Sequence, residues 1–446
     1  MNRSLLANRI MIWGAISILL IAGCSGGTED SISNTTEESS TKTRVTTSIL
    51  TPSVEQVVVS GINALGVDLF YSTSGNAVVA PFSASLALAR LRAGAGGTTR
   101  TDLSEIMHIA GIGADTDAAY NALDLSISSL IDASTLDDQS SLAGASGWAQ
   151  ARYGFLISYL DTLAEYYGVW PMRADFALET SAASQAVRDW ASEITNDLSV
   201  ATGITQDTRF VLGEAVRFDI AWTDPFDPIL TEKEWFTKLN GIAVEADFMR
   251  QTAQIPQTSG DGYCAFELPL QGDVRFLVIL PDTGRYQEIA ASVTPDSLDA
   301  IVSALTPALV DLAIPKFAIN NFAPLNLGES SSKNVADYSG IDGTMELFVS
   351  STVHRSKLSV SEAELQAGSV TLLTLDDVHP ETWTDPHGAG CIGYCIDSCS
   401  NGWIIGGIVT MPPPPIISLG RPFLFVVRDS GTGVILFMGR VVSVQE

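Results

Sequence analysis

The stretch that organises this chain is VHRSKLSVSEAELQAGSVTLLTL, residues 353–375. Its first part alternates like a strand, and a segment of small and threonine side chains follows it. A Cys- and Gly-rich stretch comes next, and then two runs of β-branched and aromatic residues, 421–429 and 434–442, flank the turn sequence SGTG. A connection as long as residues 376–420 inside a compact domain is either functional or disordered, and we interpret this one as functional.

The composition is that of an acidic protein with enough apolar residues for a large core. Of the 446 residues, 46% are hydrophobic and 17% are charged, and the formal net charge is −27. Nucleic acids are bound through positive surface that neutralises their phosphates. We therefore expect no nucleic-acid partner and a soluble body.

The amino terminus has the features of an export signal. Residues 10–23 form an apolar run beside two arginines, and the run is too short to span a bilayer. The residues before Cys24 resemble a bacterial lipobox, in which the cysteine is lipidated; an ordinary signal peptide with a chance cysteine is the alternative. Residues 24–52 are rich in Ser, Thr, Gly and Glu, which predicts a disordered tether. We expect a signal peptide at 1–23 and a body at 53–446, exported and lipid-anchored at the bacterial cell envelope or surface, or extracellular.

Four cysteines remain in the body: Cys264, Cys391, Cys395 and Cys399. Outside the cytoplasm disulfides are expected, and four cysteines allow three pairings between which the sequence does not choose. With His379 and His387 the last three form a metal-like cluster, but the glycines among them disfavour the helix that their spacing needs. We therefore predict disulfides, and neither a metal nor another cofactor.

Helical patterns come early in the body and strand patterns come late. Residues 177–198 have helical periodicity, and residues 116–170 look mostly helical around an apolar run at 141–149. Residues 208–226 and 306–318 have strand patterns, and residues 262–280 read as a hairpin. This order predicts an α+β class with large sheets. The chain lacks GxSxG and HExxH motifs, so we do not expect an enzyme.

Motifs spread over residues 54–446 resemble those of the serpin family. They are Asn76, Pro81-Phe82-Ser83, residues 94–99, Asp175-Phe176, Trp190, Thr195, Phe218, Trp222, Pro315-Lys316-Phe317, residues 336–340, His354-Arg355, Val360, residues 422–425 and residues 436–440. The resemblance implies one domain of three β-sheets with eight or nine helices and an exposed reactive-centre loop. It also implies inhibition of serine-type, or cysteine-type, endopeptidases. The protease cuts the loop and is held as an acyl ester while the loop inserts into the main sheet, a standard example of strand addition.

The resemblance places a hinge at the start of this loop. Its residues are Glu362, Ala363, Glu364, Leu365, Gln366 and Ala367. Glu364 stands where inhibitory serpins carry glycine, so the pivot is stiffer and insertion is expected to be slower. Strand alternation puts Leu365, Ala367, Ser369 and Thr371 on the buried face after insertion and Gln366, Gly368 and Val370 on the outer face.

Two positions compete for the reactive bond. Counting from the hinge gives Val378–His379, and counting back from Pro422 gives Met411–Pro412. The stretch between these bonds, residues 379–411, spans roughly 110 Å when extended, which would leave a protease acylated at Met411 too much slack. A bond before proline is also a poor protease substrate. An inhibitor therefore needs cleavage near residues 375–379, or disulfides that shorten the Cys-rich insertion 376–411; Val378 would suit an elastase-like pocket.

The resemblance also implies a gate beneath the loop, formed by Ser83, Glu214 and His354. The family usually has asparagine where this chain has Glu214. We predict a charge-assisted hydrogen bond between Glu214 and His354 that raises the pKa of the histidine. The alternative is that Glu214 turns away to solvent.

Two functions are consistent with these residues. The first is a monomeric suicide-substrate inhibitor whose partner is its target protease. The second is a non-inhibitory serpin-fold surface protein whose Cys-rich insert is a binding module.

Overall fold

A computed structural model describes residues 39–46, 52–134, 142–378 and 416–444. The chain divides into two compact units, Met1–Glu37 and Glu38–Glu446, and every described residue belongs to the second. Several predicted features lie outside the described residues: the export signal 1–23, Cys24, His379, Cys391, Cys395, Cys399 and the Met411–Pro412 bond. Among the described residues, no helix is long and apolar enough to cross a membrane, and no His, Cys, Asp and Glu side chains cluster as a metal site.

Nine α-helices lie in the described part of the chain. They are α1 (Pro52–Tyr71), α2 (Pro81–Ala93), α3 (Gly97–Ile106), α4 (Thr116–Ser134), α5 (Ile157–Tyr167), α6 (Thr180–Thr195), α7 (Tyr286–Ala291), α8 (Pro295–Ala304) and α9 (Ser339–Asp342). Pro81 is the first residue of α2, where its missing N–H costs nothing. The left-handed residues Gly168 and Asn196 end α5 and α6.

Fifteen strands lie in the same ranges and form two hydrogen-bonded sheets. They are β1 (Ala77–Val79), β2 (Leu142–Gln150), β3 (Met172–Ala174), β4 (Thr208–Ala221), β5 (Glu232–Thr237), β6 (Ala243–Gly260), β7 (Tyr263–Pro269), β8 (Val274–Pro281), β9 (Thr306–Pro315), β10 (Phe317–Ala323), β11 (Leu347–Val360), β12 (Glu364–Asp377), β13 (Ile416–Ser418), β14 (Phe423–Asp429) and β15 (Ile435–Val441).

The smaller sheet has six strands in the order β10-β11-β12-β4-β2-β3. The first five strands pair antiparallel, and β3 adds to β2 in parallel. The inner position of β12 means that both of its edges are hydrogen-bonded.

The larger sheet has nine strands in the order β1-β15-β14-β8-β7-β6-β9-β13, with β5 also on β6. The 18-residue strand β6 pairs with β9 along most of its length and with β7 at its end. This long strand joins two of the three sheets that the resemblance implied into one hydrogen-bonded ladder. The α+β class and the number of helices agree with the prediction.

The core lies between the two sheets, and α2 runs through it. Every residue of α2 from Pro81 to Arg92 is buried, so the helix is enclosed on all sides rather than along one stripe. A second, smaller apolar cluster lies between α6 and the outer face of the six-stranded sheet and includes Val187, Ala191 and Val370.

One part of the helical prediction for residues 116–170 is wrong. The apolar run at 141–149 is strand β2, which pairs with β4. Its small residues allow close packing, since a Cβ on Gly144 would lie 2.5 Å from the Ile194 side chain on α6. A short apolar run has no period of its own that separates a buried strand from a buried helix.

The predicted tether is also wrong for residues 39–46, which lie against α4 and α5. Ser40 Oγ donates to Asp161 Oδ1 at 2.6 Å, and the Val45 amide donates to the Glu165 carbonyl at 2.8 Å. Arg44 donates from Nε to Asn121 Oδ1 at 2.9 Å and from Nη2 to Asp124 Oδ2 at 2.5 Å. A polar segment is therefore ordered here by hydrogen bonds and an ion pair rather than by apolar burial.

Replacing Arg44 by alanine is expected to destabilise the fold by about 2 kcal/mol, because it leaves Asn121 and Asp124 without their charged donor. Lys42→Ala is the matched control. The Lys42 side chain is half exposed and lies 4.0 Å from Glu165, so its loss is expected to cost at most about 0.5 kcal/mol. Urea unfolding measures both variants, and equal effects would show that the segment does not dock through Arg44.

Candidate functional site

The candidate site is strand β12, which carries the segment of the predicted reactive-centre loop after its hinge. On one side Leu365 to Asp377 pair with β11, and on the other Glu364 to Asp376 pair with β4. From Leu365 to Asp376 every residue except Gln366 is buried. The described loop segment is therefore an inner strand of the sheet.

The hinge makes a tight turn between β11 and β12. The Ser361 amide donates to the Glu364 carbonyl at 3.0 Å, and the carbonyls of Glu362 and Ala363 accept from the amides of Phe226 and Trp222. The Glu362 side chain also pairs with Lys316 Nζ at 2.9 Å and accepts from Thr231. Burial works to raise the pKa of Glu362, but these two partners hold it below its usual value.

The two faces of β12 are buried against different parts of the molecule. Leu365 and Ala367 belong to the main core, and Gln366 is exposed on the other face. Val370 was expected on an exposed outer face, but it is fully buried beneath α6. The correction arises because α6 crosses the sheet and covers the outer face below the hinge.

The far end of β12 is anchored by its two aspartates. Asp376 accepts from Thr208 Oγ1 at 2.8 Å and from Thr205 Oγ1 at 3.2 Å. Asp377 lies 3.6 Å from Arg209 Nε. The Val378 amide then donates to the Glu346 carbonyl at 3.0 Å. These contacts join residues far apart in the sequence, so only the tertiary structure shows that the two aspartates anchor the strand.

Thr371 lies at the centre of the gate residues. The backbone N–H of Ala80 donates to His354 Nε2 at 3.1 Å, so the proton of the neutral imidazole is on Nδ1. Nδ1 lies 2.9 Å from Thr371 Oγ1 and can donate to it, and Thr371 Oγ1 is 3.3 Å from Ser83 Oγ. Ser83 and His354 therefore hold the inserted strand.

The predicted Glu214–His354 hydrogen bond is wrong. Thr371 stands between the two residues, because β12 separates β4 from β11 in the sheet register. Burial lowers the pKa of His354 to about 4, instead of the predicted increase. Glu214 does not turn to solvent either, since it is 3% exposed.

Glu214 instead forms a buried ion pair with Arg90 of α2. Arg90 also donates to the Gly213 carbonyl at 3.2 Å and lies over the Tyr167 ring. Burial raises the pKa of Glu214 to about 7 against the opposing effect of Arg90. Sequence reasoning missed this pair. The signal was Arg90 within the otherwise small and apolar run PFSASLALARL, residues 81–91, since a buried arginine needs an acidic partner.

Because His354 is buried and neutral, the free energy of unfolding is expected to depend on pH. Its folded pKa of about 4 lies below the ordinary value of 6.5. Its contribution to folding is therefore fully present above pH 6.5 and is lost as the pH falls to 4, for a total of about 3 kcal/mol. Glu214 has the opposite effect on stability. Because its folded pKa is raised, its contribution to the free energy of unfolding falls as the pH rises from 4.5 to 7.

The difference in unfolding free energy between wild type and His354→Gln isolates the histidine, because Glu214 is common to both. This difference is expected to shrink by about 3 kcal/mol between pH 7 and pH 4. A difference that stays constant with pH would contradict a neutral, buried His354.

Cys264 is half-buried on β7, and the structure gives it no disulfide partner among the described residues. Burial raises the pKa of its thiol. Its predicted pairing with the loop cysteines involves residues outside the described ranges and stays a prediction.

Comparison with known proteins identifies the fold. The family model for Serpin (serine protease inhibitor) matches residues 61–444, so the chain belongs to the serpin family. An uncharacterised serpin-like protein of Thermococcus kodakarensis is 27% identical over 98% of this chain and 99% of its own length. Serpin-Z2B of Triticum aestivum is 25% identical over 83% of this chain and 91% of its own length.

A solved structure described as cleaved Serpin 42Da superposes with a TM-score of 0.72, covering 88% of this chain and all of that chain. At 18% identity this likeness shows the fold alone. Members of the family are in general protease inhibitors rather than enzymes.

Proposed function

We propose that this protein inhibits serine-type endopeptidases, and cysteine-type ones by the same route, as a suicide substrate. The observation that carries the proposal is the position of Glu364–Asp377 as an inner strand, hydrogen-bonded on both edges. A loop that can occupy this position gains two ladders of backbone hydrogen bonds and buries apolar side chains on both faces. That gain supplies the free energy for displacing a bound protease.

The chemistry follows from a cut at the end of this strand. The protease nucleophile attacks the carbonyl carbon of Val378, and an ester or thioester bond forms as the peptide bond to His379 breaks. The nitrogen of His379 takes a proton and leaves as a free amine. Insertion of β12 then carries the acyl-enzyme along the length of the sheet, away from the hinge.

The end of β12 supports Val378–His379 over Met411–Pro412 as the reactive bond. The strand ends at Asp377, so an acyl bond on Val378 places the protease directly beyond the sheet. An acyl bond on Met411 would add residues 379–411 to the connection, roughly 110 Å of slack when extended. The small apolar side chain of Val378 suits elastase-like proteases.

The proposed place of action is outside the cytoplasm. It rests on the lipobox-like sequence at Cys24 and the apolar run before it. We propose a lipid-anchored monomer whose partners are the membrane, through its lipid, and the target protease.

The test is to incubate the full chain with elastase-, chymotrypsin- and subtilisin-like proteases. A complex that survives SDS, with a released fragment that begins at His379, is the expected result. Clean cutting without a complex would overturn the proposal in favour of a non-inhibitory serpin fold whose Cys-rich insert is a binding module.

A further inference from the structure

An open groove lies on the outer face of the six-stranded sheet, beside the carboxyl end of α6. Its volume is about 430 Å³, which is within the range of small-molecule sites. The strands β10, β11, β12 and β4 form its floor, and Thr195 and Asn196 at the end of α6 form one wall. The gate residues Ser83, Glu214 and His354 do not line it.

The middle of the groove floor is a glycine between two cations. In the sheet register Gly368 of β12 stands opposite Lys357 of β11 on one side and Arg217 of β4 on the other. Residues directly opposite each other in antiparallel strands carry their side chains on the same face. A Cβ on Gly368 would lie 3.5 Å from Lys357 Cε and 3.4 Å from the Val216 carbonyl oxygen. The absence of a side chain there leaves space between the lysine and the arginine.

The charges that line the groove do not cancel. Among the described residues of the lining, Arg217 and Lys357 are cations and Asp219 is a carboxylate, which leaves one net positive charge. Arg217 donates from Nε to Asp219 Oδ2 at 2.8 Å. Lys357 Nζ donates to the Asn196 carbonyl at 2.5 Å, which uses one of the three donors of the ammonium group. The surplus positive charge is therefore centred on Lys357, whose partner is a neutral carbonyl.

The surroundings of Lys357 disfavour its charged form. Burial lowers the pKa of Lys357, and the positive charge of Arg217 lowers it further. Asp219 and Asp197 oppose this decrease only in part. An anion bound beside Lys357 would supply the missing counter-charge. The formal net charge of the whole chain is −27, so a local surplus of positive charge marks a place where a small anion is attracted instead of repelled.

The other polar side chains of the lining are uncharged, and they include Asn196, Asn320, Ser359 and Gln366. Amide and hydroxyl groups both donate and accept hydrogen bonds, so they match the hydroxyl groups of a ligand. One carboxylate matches the single surplus positive charge. A second carboxylate would be repelled by Asp219.

We propose that this groove binds a small hydroxylated monocarboxylate. Its carboxylate accepts from Lys357, and its hydroxyl groups bond to the amide and hydroxyl side chains of the lining. The inference goes beyond the proposed inhibitor function and does not depend on it.

Isothermal titration of the full chain with three matched probes tests the class of ligand. Gluconate has one carboxylate on a chain of hydroxyl groups, sorbitol is its uncharged counterpart, and glucarate has a second carboxylate. Gluconate is expected to bind saturably with a Kd below about 1 mM. Sorbitol lacks the charge-assisted hydrogen bond and glucarate meets Asp219, so both are expected to bind at least about tenfold more weakly.

Two variants test the position of the site. Lys357→Met keeps the apolar stem and removes the charge, and it is expected to weaken gluconate binding at least about tenfold. Gly368→Ala places a methyl group in the floor, and it is expected to weaken gluconate binding at least about threefold. That methyl group would lie 3.4 Å or more from its neighbours, which is ordinary van der Waals contact, so the fold is expected to tolerate it.

Lys233→Met is the matched control. Lys233 lies on β5 of the larger sheet, its side chain is 60% exposed, and it pairs with Asp247. The change removes the same charge outside the groove, so gluconate affinity is expected to stay within about twofold of wild type. Melting temperatures measured alongside report whether each variant is folded.

Four results would overturn the proposal: no saturable binding of gluconate, equal affinity for sorbitol or glucarate, wild-type affinity in Lys357→Met, or an equal loss in Lys233→Met. The SDS-stable complex assay is scored separately. A protease complex without gluconate binding would remove this inference and leave the proposed inhibitor function standing, whereas gluconate binding without a complex would do the reverse.

Discussion

Replacing Ala367 by glutamate is expected to turn the proposed inhibitor into a substrate and to reduce SDS-stable complex formation at least about 100-fold. Ala367 is 2% exposed and pairs with Phe218 on one side and Leu358 on the other. An uncompensated carboxylate in that position costs about 3–5 kcal/mol, and each 1.4 kcal/mol is about a factor of ten. The protease would then hydrolyse the acyl bond before β12 could insert.

Gln366→Glu is the matched control, since Gln366 is the neighbouring residue and is exposed on the opposite face of β12. The same charge there stays in water, so complex formation is expected to change less than about threefold. The proposed function requires the loop to be exposed before cleavage, and in that form neither residue would be buried, so neither change is expected to prevent folding. Equal complex yields from the two variants would show that inhibition does not depend on inserting this strand.

Val378→Arg is expected to redirect the protein toward trypsin-like proteases, with at least about a 1,000-fold gain in the rate of complex formation. The pocket of such a protease holds an acidic residue that selects a basic side chain before the scissile bond. Val378 lies just beyond the last paired residue and is only half-buried, so the substitution leaves β12 intact.

Met411→Arg provides the comparison that distinguishes the two reactive-bond positions. Its bond precedes Pro412, and the whole of residues 379–411 lies between that bond and Val378 as slack. We expect trypsin-like proteases to form SDS-stable complexes with Val378→Arg and none with Met411→Arg. Complexes with Met411→Arg and none with Val378→Arg would instead place the reactive bond at Met411–Pro412.

Most of the fold prediction came from local patterns of apolar and polar residues in the sequence. Alternation along residues 365–371 correctly separated the core-facing side chains from Gln366, because a strand has a fixed period of two. It could not show that Val370 would be covered, since α6 reaches the sheet from a distant part of the sequence. The same limit explains why residues 39–46 looked like part of a tether, because their partners Asn121 and Asp124 are some 80 residues away.

By itself the sequence determined the α+β class, the helix-then-strand order and the faces of β12. Only the tertiary structure decided the gate, because Glu214 meets Arg90 across 124 residues and Thr371 displaces Glu214 from His354. The physical reason is that spacing along the chain sets which way a side chain points. Which group it meets depends on which strands are neighbours in the sheet and on their register. Those neighbours change when one more strand enters the sheet.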